Sequence, residues 1–293
     1  MQKRILVLGG RGFVGRHAIA ALKALPDVAV SVGSREAGEL SAIRLEAHRT
    51  PADWLPLIEP FDTVLNCVGI LRPVGAASYD AVHHQAPAAL ARACKQLGKR
   101  LVHVSALGLS SSARSGFIRS KLAGEQAIAA SDADWLIVRP SLLDGPGGFG
   151  AAWLHWVALP IFFAPAAAKG QIAALTVSDL GQALAVLSTA AADKLDAEES
   201  RFFELGGVET ADFQTYVRGL RRKQGFTKPA KAIPLPAWMA RLGAHLCDLV
   251  HFSPFSFGHW ELLQRDNLPQ PNRLPQLLGR APEAVLPVPD FQN

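Results

Sequence analysis

The tightest constraint on this chain sits at its start, where Ile5-Leu6-Val7-Leu8 runs straight into Gly9-Gly10-Arg11-Gly12-Phe13-Val14-Gly15. A short apolar run followed by a glycine triplet and a helical pattern over 12–25 is a strand, a tight turn and a helix start. Gly9 permits the turn, Gly12 lets the backbone approach a pyrophosphate, and Gly15 lets the helix pack closely on the strand. The helix start then offers unsatisfied amides and the positive end of its dipole to phosphate oxygens. Arg11, Phe13 and Val14 complete the expected cradle for a dinucleotide.

The first half continues in the same rhythm. Apolar runs at 4–8, 28–32, 43–46, 63–67, 100–105 and 135–139 read as strands, separated by helical stretches such as 12–25 and 81–97. The runs are continuously apolar, as strands covered on both faces require. The expected fold is therefore α/β, a doubly wound parallel sheet of the Rossmann type with a small carboxyl-terminal lobe. The dinucleotide-binding domain is placed at 1–150. A helix at 178–192 and a strand at 202–205 return to the sheet within 171–207, and 208–293 forms the smaller substrate or interface lobe. Thr210 is the expected N-cap of a helix over 211–224. The proline-rich tail from Pro269 is expected to lie over the surface.

The type of dinucleotide is read about 20 residues beyond the loop, where an acidic residue binds the ribose hydroxyls of NAD. Here the second strand ends in Gly33-Ser34-Arg35. Serine and arginine suit a 2′-phosphate, because guanidinium and phosphate form paired charge-assisted hydrogen bonds. Ser34 and Arg35, with Arg11, point to NADP(H); Glu36 next door keeps NAD as the alternative.

Two later stretches carry a resemblance. Val102-His103-Val104-Ser105-Ala106-Leu107-Gly108 and Phe117-Ile118-Arg119-Ser120-Lys121 resemble the short-chain dehydrogenase/reductase family, in which a strand-end serine is followed by a Tyr-x-x-x-Lys helix. Ser105 matches the serine, Lys121 matches the lysine, and Phe117 stands where the tyrosine belongs. Asn66-Cys67-Val68-Gly69, Val138-Arg139-Pro140-Ser141 and Thr176-Val177-Ser178-Asp179 look like the atypical and extended branches. The chain is most similar there to bacterial relatives of the Rossmann-type accessory subunit of respiratory complex I. The likeness runs from Arg4 to Gly207.

The resemblance implies that Cys67, Val68 and Gly69 line the ribose side of the cofactor. It likewise places Ser105, Lys121, Pro140, Ser141 and Leu142 around the nicotinamide half. It also implies a missing proton donor, because phenylalanine has no hydroxyl, and loss of a positioned general acid costs about 10²–10⁴ in rate. Lys121 can still hold a ribose and Ser105 can still polarise an oxygen. Tyr79, His83, His84, Asp144 and His155 are the substitute acids within reach of the same cleft. Two functions follow. One is an NADP(H)-binding structural, assembly or redox-sensing component. The other is an NADPH-dependent oxidoreductase acting on a hydrophobic carbonyl, quinone or activated double bond.

Composition adds bounds. Three widely spaced cysteines, Cys67, Cys94 and Cys247, fit neither a disulfide framework nor a zinc site. No secretory leader precedes the first strand, so a cytoplasmic location is expected. The net charge of +5 suits anionic ligands, but no nucleic-acid module is visible. The greasy stretch 151–168 is interrupted by His155, Pro160 and Pro165 and is not expected to span a membrane. Beside it, Arg218, Arg221, Arg222, Lys223, Lys228 and Lys231 form a basic cluster. That cluster is either a solvated face or a peripheral contact with the inner face of an anionic membrane, and the apolar stretches are walls for a small molecule or a protein partner.

Overall fold

The opening strand, β1 (Lys3–Leu8), sends alternate side chains to opposite faces, and both faces are buried: Ile5 and Val7 on one, Leu6 and Leu8 on the other. That demands a layer on each side of the sheet, and the computed structural model supplies both. It describes residues 2–38, 40–191, 195, 201–228, 230–250 and 255–287. Six parallel strands lie in the order β2-β1-β3-β4-β5-β9, with β2 at Val28–Gly33, β3 at Thr63–Asn66, β4 at Arg100–Val104, β5 at Asp134–Pro140 and β9 at Phe202–Leu205.

One face is covered by α2 (Pro51–Ile58), α3 (Ala86–Leu97) and α4 (Gly116–Ala129), where Trp54, Ile58 and Leu90 pack on Leu6, Leu8 and Leu101. On the other lie α1 (Phe13–Lys23) and α6 (Val177–Thr189), which bring Leu22, Leu180 and Leu184 onto Ile5, Val102 and Leu136. Because all six strands run parallel, their carboxyl ends share one rim, which becomes the mouth of the cleft.

The chain then leaves the sheet. A two-residue strand β6 (Leu143–Asp144) pairs with β8 (Leu175–Thr176), and between them come α5 (Phe149–Val157) and β7 (Ile161–Pro165). β7 pairs in parallel with the distant β10 (Lys231–Leu235), so the greasy stretch after β6 and the chain beyond β9 build one lobe. Its core holds Phe162, Ala164, Phe213, Tyr216, Val217 and Leu220 from β7 and α7 (Phe213–Lys223). Two further helices, α8 (Ala237–Val250) and α9 (Phe257–Leu262), complete it.

The structure departs from the sequence reading at several places. No strand forms at 43–46: a single 3-10 turn covers Leu45–Ala47, and Ile43 and Leu45 plug the core beside β2 instead of pairing with it. Only the Ile43 amide, donating to the Ser34 carbonyl, ties this stretch to the end of β2. A helix that the pattern did not announce, α2, starts at Pro51, with the Asp53 carboxylate accepting the Thr50 N–H at 2.8 Å. The stretch 81–97 is helical but opens with one π turn, Ala81–Gln85. The cap of α7 is Asp212, which accepts the Thr215 N–H at 2.7 Å, rather than Thr210. The tail does not merely cover the surface, because Leu274 of α10 (Leu274–Leu278) is fully buried beneath α6 and Arg280 pairs with buried Asp179. The end of the expected helix at 192 and the last residues from 288 lie outside the described residues.

Candidate functional site

The phosphate loop has the geometry that an anion needs. Gly9 adopts φ +74°, a left-handed conformation costly for any residue with a side chain. The Gly12 N–H donates to the Gly9 carbonyl at 2.8 Å and closes the turn. A Cβ at Gly15 would collide with that same Gly9 carbonyl oxygen, so the helix can approach the strand this closely only with glycine there. Gly12 caps α1 with no side-chain hydrogen bond and no acidic residue in the first turn, which leaves the amides of Phe13, Val14 and Gly15 unclaimed. The loop after β6 folds down onto this turn. Arg16 donates to the Gly147 carbonyl at 3.1 Å, and Gly148 lies against the Phe13 ring. That lid on the first turn of α1 left no local signal in the sequence, since 131 positions separate Arg16 from Gly147.

At the adenosine end, Ser34 uses its hydroxyl to bond the Glu36 carbonyl at 2.6 Å, and Arg11 forms an ion pair with the Glu36 carboxylate. Arg35 is exposed and makes no ion pair among the described residues. Glu36 therefore neutralises one of the two arginines expected to meet a 2′-phosphate, and Arg35 is the cation left over. A cavity of about 420 Å³ opens elsewhere, along β2 and α2 between Arg4, Ser31, Leu40 and Phe61, and none of the candidate residues lines it.

At the end of the cleft expected to hold the nicotinamide, β1, β3, β4 and α4 converge. Val68 abuts Gly9, its amide held by the Asn66 side chain at 3.0 Å, and burial pushes the Cys67 thiol up to about 12. Gly69 faces the Lys121 ammonium and the His83 ring. Ser105, just past β4, is 5% exposed, and its hydroxyl has no hydrogen-bond partner. A buried unpaired hydroxyl costs about 1–3 kcal/mol, so such an atom marks a place kept for a ligand oxygen. Lys121 is buried too. Desolvation pulls its ammonium down to about 8 against the opposing pull of Glu125, whose own carboxylate is taken by Arg139 at 2.6 Å. Ser141, by contrast, spends its hydroxyl on the Asn267 carbonyl at 2.8 Å, and Leu142 packs toward the lobe. The Pro140 carbonyl accepts the Leu107 amide at 3.0 Å.

Phe117 is one turn before Lys121 on α4, with its ring 5.7 Å from the ammonium. The ring is 6% exposed and enclosed by Tyr79, His83 and His259 at centroid distances of 5.9, 5.6 and 5.7 Å. His259 belongs to α9, and a Cβ on its neighbour Gly258 would stand 3.1 Å from Phe117 and 2.8 Å from the Ser115 hydroxyl. Glu261 adds two hydrogen bonds to the start of α4, accepting from the Arg114 and Ser115 amides at 2.9 and 2.7 Å. The carboxyl-terminal lobe thus closes directly over the tyrosine position. Sequence reasoning missed α9, because nothing local links 257–262 to 114–117.

The substitute acids are all engaged. The Tyr79 hydroxyl donates to the Leu71 carbonyl at 2.7 Å, and desolvation raises it to about 12. His83 accepts the Ile70 amide on Nε2 at 3.1 Å and faces Ser120 Oγ with Nδ1 at 3.0 Å, so a neutral ring satisfies both atoms. Burial, helped by nearby Lys121 and His103, drives it down to about 2. His84 pairs with Asp80 on the exposed side of its turn. Asp144 and His155 pair with each other at 2.9 Å inside the lobe, and Lys223 takes the second Asp144 oxygen at 3.0 Å. His259 leans on Ser256 Oγ at 2.7 Å, and burial lowers it to about 4.

Loop, sheet order and cleft together define a Rossmann-type nucleotide-binding fold. Residues 9–151 match the NAD(P)H-binding family. Over 160 residues the chain is 26% identical to a ceramide reductase of Caulobacter vibrioides, covering 49% of this chain and 47% of that protein. It is 29% identical over 160 residues to a dTDP-4-dehydrorhamnose reductase of Mycobacterium tuberculosis, covering 47% of this chain and 49% of that one. The chain spans about half the length of these curated relatives. Among solved structures, the UDP-glucuronic acid 4-epimerase of Bacillus cereus, in complex with UDP-glucuronic acid and NAD, superposes with a TM-score of 0.64 at 16% identity. That likeness covers 96% of this chain and 94% of the epimerase. Its fold is of the Rossmann type, shared with solved epimerases and a solved reductase, and residues 9–151 carry the likeness to NAD(P)H-binding proteins.

Proposed function

We propose that this protein binds NADP(H) in a cleft that has lost its tyrosine acid, and that it works as a structural, assembly or redox-sensing component rather than as a rapid catalyst. In this reading Gly9, Arg11, Gly12, Phe13, Val14 and Gly15 hold the pyrophosphate, and Ser34 and Arg35 meet the 2′-phosphate. Cys67, Val68 and Gly69 border the ribose, and Ser105, Lys121 and the chain at Pro140, Ser141 and Leu142 border the nicotinamide. A bound nicotinamide cofactor supplies a hydride donor or acceptor. Lys121 holds ribose oxygens, and Ser105 gives its unpartnered hydroxyl to an oxygen of the ligand. The domain at 1–150, rejoined by 171–207, carries the cofactor, and the lobe at 208–293 carries the interface.

The observation behind this reading is the enclosure of Phe117. The acid is not simply absent, because His259 of α9 joins Tyr79 and His83 around its replacement, and each of these three rings already has a hydrogen-bond partner. The resemblance to relatives of the complex I accessory subunit supports the same reading. Dialysis followed by cofactor fluorescence tests it. NADPH should survive dialysis on the wild-type protein and be released only on denaturation, with NADH retained less well. Rapid exchange of NADPH would count against a structural role.

One observation favours a second reading, an oxidoreductase using an acid other than tyrosine. An ammonium lowered to about 8 is a competent proton donor near neutral pH, and Lys121 makes no hydrogen bond among the described residues. The reductase names of two curated relatives point the same way. Under that reading turnover would fall as pH rises through 8, and Lys121→Met would abolish it.

A further inference from the structure

The distribution of carboxylates is uneven in a way the cofactor cleft does not explain. The chain has 25 aspartates and glutamates, yet none lies between 145 and 178 and none between 213 and 247. These two segments are the ones that β7 and β10 join into the carboxyl-terminal lobe. Just outside them, Asp144 is buried with His155 and Lys223, and Asp248 turns inward to Arg72 and the Phe257 amide. These two segments of the lobe therefore present cations with no anions of their own between them. Arg218, Arg222, Lys228 and Lys231 are all exposed on it.

The same surface carries large apolar side chains in water. The register of the β7–β10 ribbon sets Ile161 beside Lys231 and Phe163 beside Ile233, and those four point outward while Phe162 and Ala164 point into the lobe core. Trp156 and Leu159 lead into this ribbon, with Trp156 71% exposed. Beyond Pro236 the pattern passes into α8, where Met239, Leu242 and Leu246 recur at helical spacing beside Trp238, itself 69% exposed. Buried Ala240 and Ala244 line the opposite side of that helix, and His245 stacks on Phe257 of α9. An amphipathic helix and a ribbon that expose tryptophan, phenylalanine and leucine, flanked by arginine and lysine, exceed the scattered apolar residues of an ordinary surface.

We infer that this face of the lobe docks on a lipid bilayer surface bearing anionic headgroups, with α8 and the β7–β10 edge in the interfacial region and the basic residues over the phosphates. Charge complementarity selects lipid among the possible occupants. A carboxylate-free surface of mixed cations and aromatics suits anionic headgroups above hydrocarbon, where tryptophan settles at the boundary and lysine reaches outward. No described helix is long and apolar enough to cross a membrane, so the contact is peripheral. The inference rests on the surface of the lobe and not on the chemistry of the cleft.

Flotation of the full chain with vesicles tests it directly. One set is phosphatidylcholine alone, and the other is equal parts phosphatidylcholine and phosphatidylglycerol. The wild type should float with the anionic vesicles, stay behind with the zwitterionic ones, and lose binding as salt is raised. Lys228→Gln and Lys231→Gln should each weaken binding about fivefold, and Leu242→Glu with Leu246→Glu should remove it. NADPH fluorescence on the same samples verifies that each variant is folded, and loss of that signal in wild type would sink the cofactor reading while leaving this one standing. Wild type that remains in the aqueous fraction with anionic vesicles overturns the inference. So does binding that ignores the Leu242→Glu, Leu246→Glu pair, or a wild-type dimer that the pair dissociates without any vesicle binding.

Discussion

The two ends of the cofactor cleft are built on different principles. The phosphate end is backbone: a left-handed Gly9, a Gly15 pressed against the Gly9 carbonyl, and free amides at the start of α1. The nicotinamide end is side chain, and it is assembled from β3, β4, α4 and the remote α9. A backbone site survives most substitutions outside its glycines. A side-chain site can keep two members, Ser105 and Lys121, while a third becomes phenylalanine and its surroundings close up. Under the proposed function, binding and catalysis come apart within this single cleft.

The largest expected effect that sharpens this contrast comes from Lys121. Burial disfavours its charged form and pulls the ammonium down to about 8 from its ordinary value of 10.5. Below pH 8 the folded state carries the full penalty, worth about 3 kcal/mol. The penalty is relieved as pH rises from 8 toward 10.5, where only the unfolded chain still holds the proton. Urea titrations should show wild type gaining stability on Lys121→Met over that window, and parallel curves would contradict a buried unpaired ammonium. Gly15→Val attacks the other end. The added side chain must move the Gly9 carbonyl, so NADPH affinity should fall about tenfold to a hundredfold in fluorescence titrations, without comparable loss of sheet structure.

Arg35→Ser comes next. Removing the one cation not paired with Glu36 should cut the preference for NADPH over NADH about tenfold, while affinity for NADH stays level. If both affinities fall equally, Arg35 contributes charge and no specificity. Ser105→Ala is the smallest change. With no partner for its hydroxyl, the variant should be as stable as wild type or more stable by about 1 kcal/mol in thermal melts without cofactor. It should nevertheless gain less than wild type when NADPH is added. A clear loss of stability without cofactor would show that the hydroxyl already has a structural partner.

Legibility followed locality. The loop Gly9–Gly15 and the apolar strands of the sheet could be read directly, because each depends on a few adjacent residues in a periodic frame. Ile43 and Leu45 misled, since 43–46 groups with the apolar strand runs, whereas the two side chains turn into the core and leave β2 as the edge. Asp212 took the cap from Thr210 two residues later, a shift within the usual uncertainty of helix ends. The enclosure of Phe117 could not be read at all. His259 and Gly258 reach it across more than a hundred positions, and only the folded lobe brings them there.

Stopped-flow oxidation of NADPH bound to wild type and to Phe117→Tyr, mixed with a panel of carbonyls and quinones, tests most directly whether binding and catalysis have separated. Wild type should oxidise NADPH no faster than free cofactor with every acceptor. The tyrosine variant should keep the same NADPH affinity, and with a suitable carbonyl it should recover part of the factor of about 10²–10⁴ that a positioned acid supplies. Wild-type oxidation well above the free-cofactor rate, abolished by Lys121→Met, would contradict this account and make Lys121 the acid of a working reductase.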